Sequence, residues 1–187
     1  LFDYSGNWPK PYKENGYEVI QIDLKLGHDI LTLDPTSLDD LMPIYGILAA
    51  PPCTDFSVSG AQYWPKKDAD GTTERSLELV WATLDIIKYC QPEFWALENP
   101  VGRLPKLIPS LGKPWYFQPH WFGDAYTKKT GLWGNFNRNL IRNDVEPVRE
   151  CAQGSWLMKL GGKSERTKEL RSMTPMGFAY AFYEANK

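Results

Sequence analysis

Residues 45–64 read YGILAAPPCTDFSVSGAQYW. The run is apolar from Ile47 to Ala50, stops at Pro51-Pro52, and delivers Cys53 into a turn rich in Ser, Thr, Asp and Gly. A short apolar run bounded by turn signals reads as a buried strand. Two prolines end it, because proline fixes φ and removes a ladder donor. The chain therefore leaves a sheet at Cys53. In an open α/β sheet, ligands bind beyond the carboxyl ends of the strands, so the thiol stands where chemistry is done. An isolated cysteine is more commonly a buried structural residue, and the neighbouring elements have to decide between the two readings.

Upstream, Leu1 to Asp3 reads as a strand end and Tyr4-Ser5-Gly6-Asn7 as a turn. A chain that begins inside a strand implies that residues precede Leu1. A helix then runs to about Asn15, with Pro9 and Pro11 in its first turn and Gly16 as its stop. Tyr17 to Asp23 alternates as a second strand and ends on an acid, twenty residues after Asp3. This is the order of a nucleoside-binding unit, in which a strand-end carboxylate accepts hydrogen bonds from ribose hydroxyls. Gly27-His28-Asp29-Ile30 supplies a second acid on a turn, and Ser37 to Met42 reads as a short helix.

Downstream, Lys66 to Thr73 is polar and Gly-containing, a mobile loop by composition. Thr72 or Thr73 then caps a long helix whose apolar positions are Leu77, Val80, Trp81, Leu84 and Ile87. Glu93 to Leu97 reads as a buried strand ending at Glu98-Asn99-Pro100, where proline stops the ladder. Val101 to Gly112 is a loop with one helical turn, Trp115 to Trp121 and Thr130 to Trp133 are strands, and residues 135–160 have no clear period. Arg171 to Pro175 leads into a helix with Phe178, Ala181, Phe182 and Ala185 on one face. The expected fold is α/β, a Rossmann-like doubly wound, mostly parallel sheet in a single domain spanning residues 1–187.

Composition narrows the function class. The 187 residues carry 21 Lys/Arg against 23 Asp/Glu, so bulk charge does not hold this chain to nucleic acid. The distribution is uneven: residues 1–60 hold three Lys/Arg against nine Asp/Glu, and the remainder eighteen against fourteen. An acidic first third suits a hydroxyl-rich or cationic cofactor, and a basic remainder suits phosphates. Cys53, Cys90 and Cys151 lie far apart without a CxxC pair, and there are two histidines, so neither a metal site nor a disulfide framework is expected. A reducing, cytoplasmic setting fits. No apolar run approaches the ~20 residues that span a bilayer, so no membrane partner is expected.

Cys53 and Glu98 thus stand at the ends of strands expected to be neighbours. A thiolate is a soft nucleophile, and a carboxyl kept partly protonated by burial can bind or protonate a ring nitrogen. An electron-poor pyrimidine calls for that pair: thiolate attack at C6 with proton donation at N3 makes C5 nucleophilic.

Pro51-Pro52-Cys53-Thr54-Asp55-Phe56-Ser57 resembles the nucleophile motif of the DNA cytosine-5 methyltransferases, and Glu98-Asn99-Pro100 resembles their ENV motif. Phe2 to Gly6 is similar to their FxGxG motif with Tyr4 at the first glycine, and residues 171–182 are similar to their last helix motif. The resemblance implies a class I S-adenosylmethionine-dependent methyltransferase fold and a DNA substrate whose target base is flipped out of the helix. It implies Cys53 as nucleophile and Glu98 at N3. S-adenosylmethionine would be held by Phe2, Gly6, Asp23, Asp29, Ile30, Pro51 and Thr174. The substrate would meet Pro52, Ser57, Asn99, Lys128 and Thr130, the last two standing for the arginines of the family's QxRxR stretch. Thr54 replaces a usual Gln and Pro100 a usual Val.

The loop after Cys53 would close over the extruded nucleotide, with Lys66, Lys67 and Arg75 toward phosphates. Only residues 134–162 occupy the place of the family's target-recognition domain, which implies relaxed or short-context specificity, or recognition supplied by a partner subunit. Two alternatives stay open: a non-catalytic nucleic-acid-binding accessory subunit on the same fold, and the same chemistry on RNA or a free nucleotide.

Overall fold

A computed structural model describes residues 1–148, 155–160 and 164–187. In chain order its helices are α1 (Lys10–Glu14), α2 (Trp64–Ala69), α3 (Thr72–Cys90), α4 (Leu104–Leu107), α5 (Glu165–Ser172) and α6 (Met176–Ala185). Its strands are β1 (Gly46–Ala49), β2 (Phe94–Pro100), β3 (Trp115–Phe117) and β4 (Thr130–Asn135), ordered β1-β2-β4-β3. The chain divides into two compact units. One holds residues 1–4, 21–116 and 130–136, and the other residues 5–20, 117–129 and 137–187.

The first unit is built on the sheet. β1 runs parallel to β2 from Gly46 opposite Phe94 to Ala49 opposite Leu97. β4 runs antiparallel to β2, from Trp95 opposite Asn135 to Pro100 opposite Thr130. The sheet is therefore mixed, and the expected doubly wound, mostly parallel arrangement is corrected to this extent. Tyr17 to Asp23 forms no regular strand either. Its end nevertheless hydrogen-bonds to the chain start, Phe2 N–H donating to the Ile22 carbonyl at 2.9 Å and Ala50 N–H to the Leu1 carbonyl at 3.1 Å. These bonds place Ile22, Leu1 and Ala50 side by side.

α3 serves two apolar clusters. Ile86, Ile87 and Cys90 join Ile22, Ile30, Leu38 and Ile47. Val80 joins Phe56, Leu97, Leu104, Ile108 and Trp133. The buried stripe of α3 is Thr73, Val80, Thr83, Ile86, Ile87 and Cys90. Trp81 is 46% exposed, off the face assigned from periodicity. Thr72 and Thr73 do not cap the helix: Gly71, at φ +77°, is the capping position. β2 continues through Pro100, which stands at its end opposite Thr130. The ladder therefore ends at the proline, as expected. An end position costs only the donor that no strand would use.

Residues 66–73 also depart from expectation. They form the body of α2 and the first turn of α3, with Pro65 in the first turn of α2 where its missing N–H is harmless. Composition marked this stretch as a mobile loop, and its charged side chains instead fasten it down.

The second unit has an aromatic core. Trp8, Phe117, Phe122, Phe178 and Phe182 are all buried, with Phe117 stacked on Phe178 at 3.8 Å between centroids. Tyr12 meets Tyr183 edge-on at 4.9 Å. α6 buries Phe178, Ala179, Phe182 and Tyr183, a face rotated slightly from the expected one. The irregular segment expected over residues 135–162 falls partly outside the described residues, as does Cys151.

Candidate active site

The β1–β2 pairing ends at Ala49 and Leu97, and the next residues on the two strands carry the candidate groups. From Ala50 the chain turns through Pro51-Pro52-Cys53. β2 keeps going, held by β4, so Glu98 pairs with Leu132 one residue beyond the last β1–β2 pair.

The Cys53 turn is shaped by its own sequence. Phe56, fully buried under Val80 and Leu97, anchors it from below. The Cys53 carbonyl accepts from Phe56 N–H at 3.1 Å and Ser57 N–H at 2.9 Å, which closes the turn. Ser57 Oγ then accepts from Ser59 N–H and starts the helical turn Val58–Tyr63. Cys53 itself is half-buried, as a nucleophile that must reach a ligand requires.

The two strand-end turns are joined directly. Asn99, fully buried, donates from Nδ2 to the Pro51 carbonyl at 3.1 Å. Val58 N–H donates to Val101 O at 3.0 Å, and Arg103 N–H to Phe56 O at 2.9 Å. Gly102 makes this approach possible. A Cβ there would lie 1.9 Å from the Phe56 carbonyl oxygen. Asn99 Oδ1 is buried and finds no hydrogen-bond partner among the described residues. Such groups cost roughly 1–3 kcal/mol and call for a functional or strain explanation. Glu98 is buried at 8% exposure.

The residues expected to hold a nucleoside fall into both units. Phe2, Asp23, Asp29, Ile30 and Pro51 belong to the first unit, with Gly6 and Thr174 in the second. Asp23 ends the extended stretch and accepts from Lys25 N–H at 2.9 Å, while His28 N–H donates to the Asp23 carbonyl at 3.1 Å. Asp29 accepts from Leu31 N–H at 3.0 Å. One short turn, with Gly27 at φ +86° inside it, thus carries two carboxylates, and the buried Ile30 anchors it. Carboxylate acceptors beside apolar Phe2 and Ile30 fit a nucleoside's hydroxyls and base. Phe2 has a left-handed backbone at φ +58°, an uncommon conformation for a bulky residue. Tyr4 is half exposed with the Lys25 ammonium 5.1 Å from its ring centroid.

Of the remaining expected contacts, Pro52 is exposed and Ser57 half-buried beside the Cys53 turn. Thr130 is buried opposite Pro100, and Lys128 lies in the second unit, its N–H donating to Gln118 Oε1 at 3.0 Å. Lys67 does not point to solvent. Its ammonium pairs with the buried Asp55 carboxylate and donates to the Thr54 carbonyl at 2.9 Å.

The sequence model of the C-5 cytosine-specific DNA methylase family matches residues 7–106, just over half of the chain. The chain belongs to that family. The matched span of this cytosine methylase contains Cys53, Glu98 and both nucleoside-turn acids. A search of curated proteins returns no match. No helix among the described residues is long and apolar enough to cross a membrane, and no cluster of metal-ligating side chains is found among them.

Sequence reading missed Arg103, Asp55, Asp68 and Gly102. The signal was present in part: a charge inside Val101-Gly-Arg-Leu104 sits in an apolar setting, and charges there are almost never buried unless paired.

Proposed function

We propose that this cytosine methylase transfers a methyl group from S-adenosylmethionine to C5 of cytosine in DNA through a covalent bond between Cys53 Sγ and C6. The reading is supported by the family match together with the chain order at the strand ends: Cys53 lies in the turn after β1, Glu98 lies one residue past the last β1–β2 pair, and Asn99 ties the two segments through the Pro51 carbonyl at 3.1 Å.

When bound, S-adenosylmethionine supplies an electrophilic methyl on a sulfonium. Within the first unit, Asp23 and Asp29 would hold its ribose and amino groups, Phe2 and Ile30 its adenine, and Pro51 would complete that surface. Cys53 thiolate forms the S–C6 bond as Glu98 delivers its proton to N3, so the electron pair of the C5–C6 double bond moves to C5. With the cofactor held by those residues, the activated C5 would accept its methyl group, and the sulfonium would leave as a neutral thioether. A base removes the C5 proton, the S–C6 bond breaks to restore the double bond, and N3 returns its proton to Glu98. Within the first unit, Pro52, Ser57, Asn99 and Thr130 would surround the flipped nucleotide.

The reading treats residues 1–187 as one catalytic domain acting in a cytoplasmic setting. It leaves sequence context to short-range contacts or to a partner subunit. The test uses tritiated S-adenosylmethionine with 5-fluorocytosine-containing DNA, matching RNA and free nucleotide. A covalent complex on DNA that Cys53→Ser abolishes is the expected result. Unchanged methyl transfer by Cys53→Ser sinks the mechanism, and trapping on RNA or nucleotide alone reassigns the acceptor.

A further inference from the structure

Beside the Cys53 turn, buried Arg103 and Asp55 join partly exposed Lys67 and half-exposed Asp68 in a set of charges that the chemistry above does not use. Arg103, five residues after Glu98, is 8% exposed and donates from all three guanidinium nitrogens. Nε donates to the Asp55 carbonyl at 3.0 Å, Nη1 to Asp68 Oδ2 at 2.8 Å, and Nη2 to Thr73 Oγ1 at 2.8 Å. The plane of the group lies 4.7 Å from the Trp64 ring centroid. Its backbone N–H holds the next carbonyl of the turn, Phe56, at 2.9 Å. The Asp55 carboxylate in turn accepts from Lys67 and from Ser76 Oγ. Thr73 Oγ1 donates to Asp68 Oδ1 at 2.6 Å, which closes the ring of contacts.

Three elements meet here: the nucleophile turn, α2 and the first turn of α3. Stability alone is a poor reason for the arrangement, since buried ion pairs are often no better than apolar residues of the same volume. What a planar fork adds is geometry, because it fixes three acceptors in one plane as a point charge cannot. Two of the groups it fixes, the carbonyls of Asp55 and Phe56, lie within three residues of the reacting sulfur.

We propose that Arg103 is a positioning residue for cytosine methylation: it locks the 53–57 turn onto α2 and so sets where Cys53 Sγ meets C6. This rests on the function proposed above. The polar stretch after Cys53 is accordingly a clamp fastened to the nucleophile turn, and the fork is its fastening.

The test compares Arg103→Lys, Arg103→Met and Asp68→Asn with wild type. Fold is followed by near-ultraviolet circular dichroism. The other readouts are kcat and KM for methyl transfer, hydrogen exchange of the Phe56 and Ser57 amides, and iodoacetamide alkylation of Cys53 mapped by peptide mass. Arg103→Lys should stay folded and keep KM for S-adenosylmethionine within about twofold, while kcat falls roughly 30-fold or more, the size expected of a nucleophile displaced by about 1 Å. Exchange of the two turn amides should rise about tenfold, as local opening becomes easier. Asp68→Asn, in which Arg103 keeps its bonds to the Asp55 carbonyl and Thr73, should move the same way by about threefold.

Wild-type kcat in Arg103→Lys overturns the proposal. So does faster amide exchange with kcat unchanged, which is the mark of a merely structural residue. If wild-type protein transfers no methyl group, the proposed function fails separately. Cys53 alkylation then judges Arg103, and an unchanged rate in Arg103→Lys refutes the positioning role. Should Arg103→Met unfold, the lysine and Asp68 variants carry the comparison.

Discussion

Replacing Gly102 by alanine adds one carbon at the tightest approach between the two strand-end turns. The new Cβ would stand 1.9 Å from the Phe56 carbonyl oxygen, 2.7 Å from its carbon and 3.0 Å from Ser57 Cα. All three are backbone atoms, so no rotamer change relieves the contact. Restoring ordinary van der Waals separation requires the turns to part by more than about 1 Å. Val58 N–H to Val101 O at 3.0 Å and Arg103 N–H to Phe56 O at 2.9 Å span the same gap, and both are then stretched out of range. Two hydrogen bonds at about 1 kcal/mol each, plus about 1–3 kcal/mol of overpacking strain, give a loss of about 3–5 kcal/mol.

Against a typical total of about 5–15 kcal/mol the variant should remain largely folded but measurably weakened. Urea unfolding should show a lower midpoint at unchanged slope. Single-turnover methyl transfer should fall about 100-fold, since Cys53 and Glu98 ride on the two turns that separate. A Gly102→Ala protein within about 0.5 kcal/mol of wild type and equally active would refute the contact itself.

Three further outcomes follow from other parts of the molecule. Asn99→Ala removes the bond to the Pro51 carbonyl and should cost about 1–3 kcal/mol by urea titration, with a loss of methyl transfer; no change in either would show that Asn99 does not tie the turns. Asp23→Ala and Asp29→Ala should each weaken S-adenosylmethionine binding about tenfold by calorimetry while leaving the circular dichroism spectrum intact, the worth of one or two charge-assisted hydrogen bonds; undiminished affinity would remove this turn from the cofactor site. Burial raises the Asp124 carboxyl above its ordinary value despite the bond it accepts from Gly177 N–H at 2.8 Å. The stability this shift contributes is complete below the unfolded value and lost as pH rises through the folded one. Asp124→Asn, which can still accept from Gly177, should therefore gain on wild type in urea between about pH 4 and about pH 7. A gap that does not grow with pH contradicts it.

The strand-turn pattern was legible because its determinants are local. The apolar run before Pro51 became β1, Pro9 and Gly16 bounded α1, and Phe56 and Ser57 close the Cys53 turn with their own side chains and amides. Trp81 was misplaced because spacing of five apolar residues does not say which neighbours the helix meets. The polarity of residues 66–73 was read as exposure, since composition cannot reveal that Lys67 and Asp68 have partners at Asp55 and Arg103. These partners lie 12 and 35 residues away in the chain.

The sequence by itself determined the order of the candidate groups: two acids flanking a glycine turn, then a thiol after a proline-terminated strand, then an acid at the end of a later strand. These rest on φ restriction, hydrophobic periodicity and residue type, all properties of short stretches. Only the tertiary structure decided that β4 runs antiparallel beside Glu98, that Gly102 lets two backbones touch, and that Arg103 gathers three elements beside the Cys53 turn. Close approach and buried charge pairing depend on which distant residues share a place, and the chain records that only once it is folded.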